Sequence, residues 1–191
     1  MDEFRRNLEG FLEQLTSRHK YLYVNLLELF WTSGLLKVES TRARCMEFET
    51  VTKECTCLHL GDVLHPFAHQ DKALENAEKL DTVSDRMNGV LYELANKYDF
   101  AAGGARPDVA VNVVRAWEHW PAADLSYLSE LDCFHPSLKT HNILAQVVWN
   151  SMLGAQRGPV DVGNATVQAP ACAEAGRALA SWGTKERAVL V

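Results

Sequence analysis

The chain has 191 residues, which is about the length of one typical domain. Its 47% apolar and 23% charged residues exclude wholesale disorder, and its net charge of −6 argues against a dominant phosphate-binding surface. No apolar run approaches the roughly 18 residues that span a bilayer, and no apolar stretch follows Arg5 and Arg6 as in a secretory signal. We therefore expect one soluble, mildly acidic domain with no nucleic-acid partner, no transmembrane segment and no signal peptide.

The first part of the chain predicts a helix, a buried strand and a long loop. Apolar residues recur at three- and four-residue steps over residues 4–15, which predicts an amphipathic helix. The apolar run at residues 21–29 follows as a strand, and a helix that leads into a buried strand is half of a parallel α/β layer. Residues 34–70 show no period, so we expect a long loop there.

The longest helical signal covers residues 71–98, where apolar residues keep to one stripe. The pair Asn88-Gly89 lies inside this stripe and is expected to weaken or kink the helix, at a cost of about 1 kcal/mol for the glycine. Residues 71–85 mix acidic side chains with lysines, so we expect them to form a solvated helix face.

The rest of the chain predicts a second strand, a last helix and a tail. Residues 108–114 are a β-branched run typical of a strand, and residues 138–153 carry a helical apolar face. Residues 155–191 are rich in Gly, Ala, Pro and Val without a period, so we expect a poorly ordered tail. Two strands alone leave the edges of a parallel sheet uncovered, so the predicted fold is short of strands.

The five cysteines allow two interpretations. Cys45, Cys55 and Cys57 cluster in the long loop, and clustering is typical of disulfides or of a metal site. No two of these cysteines have the C-x-x-C spacing of common structural zinc sites. Disulfides are therefore favoured, and no metal or cofactor is predicted. The glycosylation sequon at Asn164 agrees with a secreted protein. An oxidising compartment and a missing signal peptide are reconciled if the chain is truncated at its N terminus.

Asp132 and His135 form the candidate catalytic pair. An acid three residues before a histidine can place its carboxylate on the ring Nδ1–H, which fixes the tautomer and leaves Nε2 as a base. Pro136 restricts the backbone after the histidine, and Ser137 is the expected N-cap of the last helix. The alternative is a structural or surface pair, because so short a motif is weak evidence without its context.

Several segments around and upstream of this pair form a longer pattern. They are YVNLLEL at 23–29, RARC at 42–45 with CTC at 55–57, DLSYLS at 124–129, DCFHPS at 132–137, TH at 140–141 and VWNSML at 148–153. Together these segments resemble the phospholipase B group of the GDSL (SGNH) lipase/esterase family, over about residues 4–153. The segments from residue 124 onward resemble the C-terminal block of that group.

The resemblance implies an α/β fold, a three-layer α/β/α sandwich of SGNH-hydrolase type with a parallel sheet, truncated at its N terminus. Residues 1–154 are then the C-terminal portion of the hydrolase domain, and residues 155–191 are the tail. The implied activity is serine-type cleavage of fatty-acyl esters of phospholipids or lysophospholipids, with Asp132 as acid and His135 as base. It further implies contact with a membrane surface and, with the cysteine cluster, an extracellular, secretory-pathway or membrane-associated location.

The chain departs from the family at the nucleophile. The Gly-Asp-Ser motif, the following glycine block and the Gly-x-Asn-Asp block are absent from the sequence. Gly61-Asp62-Val63 imitates the first motif, but valine has no hydroxyl group to attack an ester. We therefore expect this chain to carry the acid and base of a triad without its serine, and to be inert alone. The alternatives are an inactive homologue that binds lipid or protein, and a Cys/His metal-binding module.

Overall fold

The computed structural model describes residues 1–39, 68–99, 102–117, 124–130 and 134–152. Their elements in chain order are α1 (Asp2–Arg18), β1 (Leu22–Leu27), α2 (Thr32–Glu39), α3 (Gln70–Tyr98), β2 (Val109–Val114), a 3₁₀ helix (Leu125–Tyr127) and α4 (Leu138–Met152). The predicted helices and both predicted strands are therefore present. The fold of these ranges is mixed α/β and mostly helical.

The described residues divide into two compact units, and each is taken by itself. The sheet unit comprises described residues of Met1–Leu29, Arg86–His119 and Leu144–Val191. The histidine unit comprises described residues of Phe30–Asp85 and Trp120–Ile143, and it contains His135.

The sheet of the sheet unit has two parallel strands, as the sequence predicts. β1 pairs with β2 in register, from Leu22 opposite Val109 to Leu27 opposite Val114. Side chains alternate between the two faces of a strand. Residues that are opposite each other in this register therefore lie on the same face of the sheet. One face packs against α1 and α3, and its core consists of Leu26, Leu91, Ala95, Val109 and Val111 with Phe4, Leu8, Leu22, Val24, Tyr98 and Val113 around them. The apolar stripes of the sequence therefore meet here.

Arg106 connects the end of α1 to the start of β2. Its guanidinium donates hydrogen bonds to the backbone carbonyls of Thr16, His19 and Lys20. It also binds the carboxylate of Asp108, with Nη2 2.5 Å from Oδ2. The Thr16 carbonyl lies in the last turn of α1, where carbonyls have no partners within the helix, so Arg106 satisfies a group that would otherwise need water. The hydrogen bond from Arg106 is the largest cause that lowers the pKa of Asp108 below its ordinary value.

We expect Asp108→Asn to reduce the loss of stability in acid. The folded-state pKa of Asp108 lies below the unfolded value of about 4, so its ionised form favours the folded state above that pH. This contribution disappears as pH falls through the folded-state pKa. Urea midpoints at neutral pH and at about pH 3 measure it, and the wild type should lose more between the two than the variant. Equal losses in the two proteins would contradict the assignment.

The turn between α3 and β2 depends on two glycines. Gly103 has a φ of 107°, in the left-handed region that favours glycine. The N–H of Gly104 donates to the carbonyl of Asp99 at 2.9 Å, and a Cβ at Gly104 would lie 2.6 Å from the carbonyl oxygen of Tyr98. The carboxylate of buried Asp99 in turn accepts the N–H of Val111 in β2 at 3.2 Å. Asp99 thereby links the turn at Gly104 to β2, directly after the end of α3.

α3 runs without interruption from Gln70 to Tyr98, so Asn88-Gly89 does not end it. The buried Asn88 amide binds both backbone groups of Leu29: Oδ1 accepts the N–H at 2.8 Å, and Nδ2 donates to the carbonyl at 2.9 Å. An asparagine that is poor for an isolated helix is therefore used for a tertiary contact.

The expectation of an irregular loop from residue 34 is wrong for residues 34–39, which belong to α2. α2 begins at Thr32 because Asp81 of α3 accepts the N–H groups of Thr32 at 2.5 Å and of Ser33 at 3.2 Å. These are N–H groups that a helix start leaves without intrahelical partners. The cap lies 49 residues away in sequence, so it leaves no local signal for the start of the helix.

Several sequence-based expectations fall outside the described residues. They are the disulfides of the cysteine cluster, the Gly61-Asp62-Val63 triplet, the sequon at Asn164 and the tail at 155–191. The described ranges contain one sheet of two parallel strands, and the three-layer sandwich stays an expectation.

Candidate active site

His135 lies in a short antiparallel hairpin just before α4. An isolated bridge pairs Leu128 with Pro136, and the N–H of Ser129 donates to the carbonyl of His135 at 2.7 Å. The side chain of His135 is exposed. The backbone carbonyl of the candidate base is therefore held by a hydrogen bond, while the residue itself is exposed.

Ser137 caps α4, as the sequence predicts. Its hydroxyl oxygen accepts the N–H of Thr140 at 3.3 Å, and its hydroxyl donates to the carbonyl of Ser126 at 2.7 Å. The carbonyl of Tyr127 accepts both the N–H of Ser137 at 2.8 Å and the buried hydroxyl of Thr140 at 2.5 Å. The start of α4 is thus tied to the 3₁₀ helix, and this fixes the chain directly after His135.

Asp124 and Lys139 stabilise the turn that contains the 3₁₀ helix. Asp124 accepts the N–H of Ser126 at 2.9 Å, and this backbone hydrogen bond is the largest cause that lowers the pKa of Asp124. Lys139 donates to the hydroxyl of Ser126 at 2.8 Å and lies 3.7 Å from Asp124 Oδ2. A lysine that activates a serine must release its proton in a desolvated site, whereas Lys139 is 46% exposed beside a carboxylate. Ser126 and Lys139 therefore form a structural pair.

The imidazole of His135 contacts the ring of Phe134, which in turn contacts the ring of Phe30. The centroid of Phe134 lies 5.4 Å from that of His135 at an interplanar angle of 86°. Phe30, from the segment before α2, lies 6.3 Å from Phe134 at 70°. Both pairs have the edge-to-face geometry that aromatic rings prefer. The histidine therefore stands at the end of a row of three rings.

Two carboxylates of α3 hold the segment that carries Phe30. The indole N–H of Trp31 donates to Asp85 at 2.6 Å, directly after Phe30 in the chain. Asp81 binds the next two backbone N–H groups as the cap of α2. The expectation of a solvated face over residues 71–85 is thus incomplete, because these two carboxylates also bind protein groups.

The structure places one member of the predicted pair. His135 is described, with the contacts given above, whereas Asp132 lies outside the described residues. The contact between the Asp132 carboxylate and the His135 ring therefore stays a prediction.

Glu28 is a buried carboxylate that the sequence did not single out. It follows β1 at the carboxyl end of the parallel sheet, which is where ligand sites of such sheets lie. Its two oxygens accept the hydroxyl of Tyr92 and, at 3.4 Å, the N–H of Trp117. Both oxygens are used to join α3 and the segment after β2 to the strand, so we assign Glu28 a structural role. A glutamate at the end of an apolar run was the signal available in the sequence.

The second face of the sheet carries a polar cluster. Asn25 and Asn112 are opposite each other in the register, with Asn112 Nδ2 donating to Asn25 Oδ1 at 3.2 Å. The hydroxyl of Tyr23 donates to the same Oδ1 at 2.8 Å, and Asn112 Nδ2 also donates to the hydroxyl of Ser151 in α4. Because the partner of Ser151 is an amide and not a base, this buried serine lacks the activation that a nucleophile requires.

The described part of the chain contains neither a candidate metal site nor a candidate membrane span. No group of three or more His, Cys, Asp or Glu residues is arranged there to hold a metal ion. No helix within the same ranges has the length and apolar content needed to cross a bilayer.

The chain is similar to a protein of Rattus norvegicus named phospholipase B1, membrane-associated. The two sequences are 28% identical over 153 residues, which is 76% of this chain and 9% of that protein. The chain therefore spans a small part of the length of the relative that it matches. No protein-family model matches the chain. No solved structure matches it. The similarity supports a phospholipase B-like relationship for this chain.

Proposed function

We propose that this chain is the C-terminal part of a phospholipase B-like serine ester hydrolase of the GDSL (SGNH) family. The observation that carries the proposal is His135, an exposed imidazole on a hydrogen-bonded hairpin directly before a capped helix. The similarity to a phospholipase supports the same class of activity. Asp132, three residues earlier in the chain, is the proposed acid.

The chemistry assigns one role to each residue. His135 Nε2 takes the proton of a serine hydroxyl as its oxygen attacks the carbonyl carbon of a fatty-acyl ester. The imidazolium then gives that proton to the departing alcohol oxygen, and an acyl-enzyme remains. The same imidazole then takes a proton from water as the water oxygen attacks the acyl carbon. The bond to the serine oxygen breaks, the imidazolium returns the proton to that oxygen, and the fatty acid is released. Asp132 accepts the Nδ1–H and stabilises the imidazolium.

The proposal includes a larger fold and a location. The two parallel strands belong to the sheet of a three-layer sandwich, since parallel sheets are covered on both faces and seldom stand as two strands. The serine and the remaining strands come from sequence upstream of this chain. The substrate is a phospholipid or lysophospholipid, reached at a membrane surface in an extracellular or membrane-associated setting, where the clustered cysteines form disulfides.

Fluorophosphonate labelling and ester turnover test where the nucleophile lies. We expect the purified chain to show neither, because none of its serines lies in a Gly-Asp-Ser motif. The coding sequence upstream should encode that motif in frame, and the extended protein should be labelled at its serine. Stoichiometric labelling of a serine within the present chain would refute the assignment.

The two alternatives have outcomes of their own in the same experiments. An in-frame stop codon close upstream, together with no labelling and no turnover, would favour the first alternative, an inactive homologue that binds lipid or protein. Stoichiometric zinc in the purified protein would favour the second alternative, a Cys/His metal-binding module.

A further inference from the structure

The row of rings beside His135 exposes apolar surface next to the candidate base. Phe30 is 37% exposed, and Phe134 joins it to the imidazole through two edge-to-face contacts. Leu138, the first residue of α4 and three residues after His135, is 76% exposed. Apolar surface in contact with water favours an apolar ligand, because binding removes that surface from water.

The position of Phe30 is set by its neighbours in the chain. The indole of the next residue, Trp31, is hydrogen-bonded to Asp85 of α3 at 2.6 Å. Asp81 holds the backbone of Thr32 at 2.5 Å. A ring on a segment anchored in this way loses less conformational freedom when a ligand binds, so more of the contact energy appears as affinity.

We propose that Phe30 and Phe134 contact the acyl chain of the ester substrate and set the preference for long over short chains. This inference rests on the proposed function, because His135 brings the carbonyl end of an ester to this place. An ester carbonyl that meets the imidazole leaves its acyl or alcohol portion to run along the adjoining surface. The surface of Phe134 and Phe30 matches the hydrocarbon portion and offers no charge for a headgroup. Asp81 and Asp85 are positioning residues for Phe30.

Binding of soluble fatty-acid anions to the present chain tests this proposal without any turnover. Octanoate and butanoate are titrated separately, and the resonances of His135 and Phe134 are followed by NMR. Each methylene group that leaves water fully is worth about fourfold in affinity. With partial contact, we expect octanoate to bind at least about tenfold more tightly than butanoate.

Variants of Phe30 are compared with a matched control. Phe30→Ala should bring the affinity for octanoate close to that for butanoate, whereas Phe30→Leu should retain most of the preference because it keeps an apolar side chain. Leu80→Ala is the control, since Leu80 is an apolar residue of the same unit with the same 37% exposure. Asp85→Asn should weaken octanoate binding less than Phe30→Ala, because it loosens the segment and leaves the ring in place.

Separate results overturn the inference and the proposed function. Octanoate and butanoate binding with equal affinity, or Phe30→Ala behaving like Leu80→Ala, would overturn the role of Phe30. The backbone amide spectrum of each variant shows whether it is folded. If Phe30→Ala is not folded, Asp85→Asn decides the question, because unchanged octanoate binding in that variant would overturn the role of Phe30. Failure of the hydrolase proposal would instead appear as a labelled serine within this chain, or as turnover that is independent of His135.

Discussion

We expect His135→Ala to lower kcat about a thousandfold or more. The protein measured is the longer one proposed above, which includes the upstream Gly-Asp-Ser serine. Without the imidazole, the serine hydroxyl has no base to take its proton, and the departing alcohol has no acid to protonate it. The rate that remains comes from substrate binding and from stabilisation of the oxyanion. Because the backbone of His135 is held at its carbonyl by Ser129, the substitution removes the side chain without removing the hairpin hydrogen bond.

His141→Ala is the matched control for this measurement. His141 is exposed in the same unit, on α4, and its backbone N–H donates to the carbonyl of Ser137 at 2.9 Å. Alanine keeps that hydrogen bond, so kcat should change by less than about twofold. The measurement is steady-state hydrolysis of a long-chain ester by the two variants and the wild type. Comparable losses in both variants, or no loss in either, would refute His135 as the base.

Gly104→Ala is expected to destabilise the protein by about 1–3 kcal/mol. The new Cβ would lie 2.6 Å from the carbonyl oxygen of Tyr98 and 2.9 Å from the carbonyl carbon of Asp99. Both are backbone atoms at the end of α3, so they can move only if the turn moves. Such a shift also disturbs the hydrogen bond from Gly104 N–H to Asp99 and the contact of Asp99 with β2.

Gly89→Ala provides the opposite result from the same chemical change. A Cβ at Gly89 would meet nothing within 4 Å, and the residue lies inside α3, where alanine has the higher helix propensity. We expect this variant to gain about 0.5–1 kcal/mol of stability. Urea unfolding followed by circular dichroism measures both variants against the wild type. The environment of Gly104 would be assigned wrongly if the two substitutions changed stability in the same direction.

Periodicity and apolar or β-branched runs predicted α1, α3, α4 and both strands, because these patterns depend on neighbours in sequence. The apolar stripe of α1, with Leu12, and that of α3, with Leu94, pack together as a core, and Val109–Val114 pairs as the predicted parallel strand. The N-cap at Ser137 was equally local, since its hydroxyl meets a backbone N–H three residues later. The choice of His135 as candidate base rests on an equally local pattern, an acid three residues before a histidine, and it stays a prediction.

The sequence by itself thus determined α1, α3, α4 and both strands, the parallel pairing of those strands, and the place of His135 just before α4. Tertiary structure alone decided that α2 begins at Thr32, because its cap is Asp81, and that Asn88 strengthens a contact in a helix it was expected to weaken. It alone decided that Phe30 meets Phe134 beside the histidine. The physical reason is that these contacts join residues about fifty or more positions apart. Their geometry depends on the packing of whole elements, which local propensity does not encode.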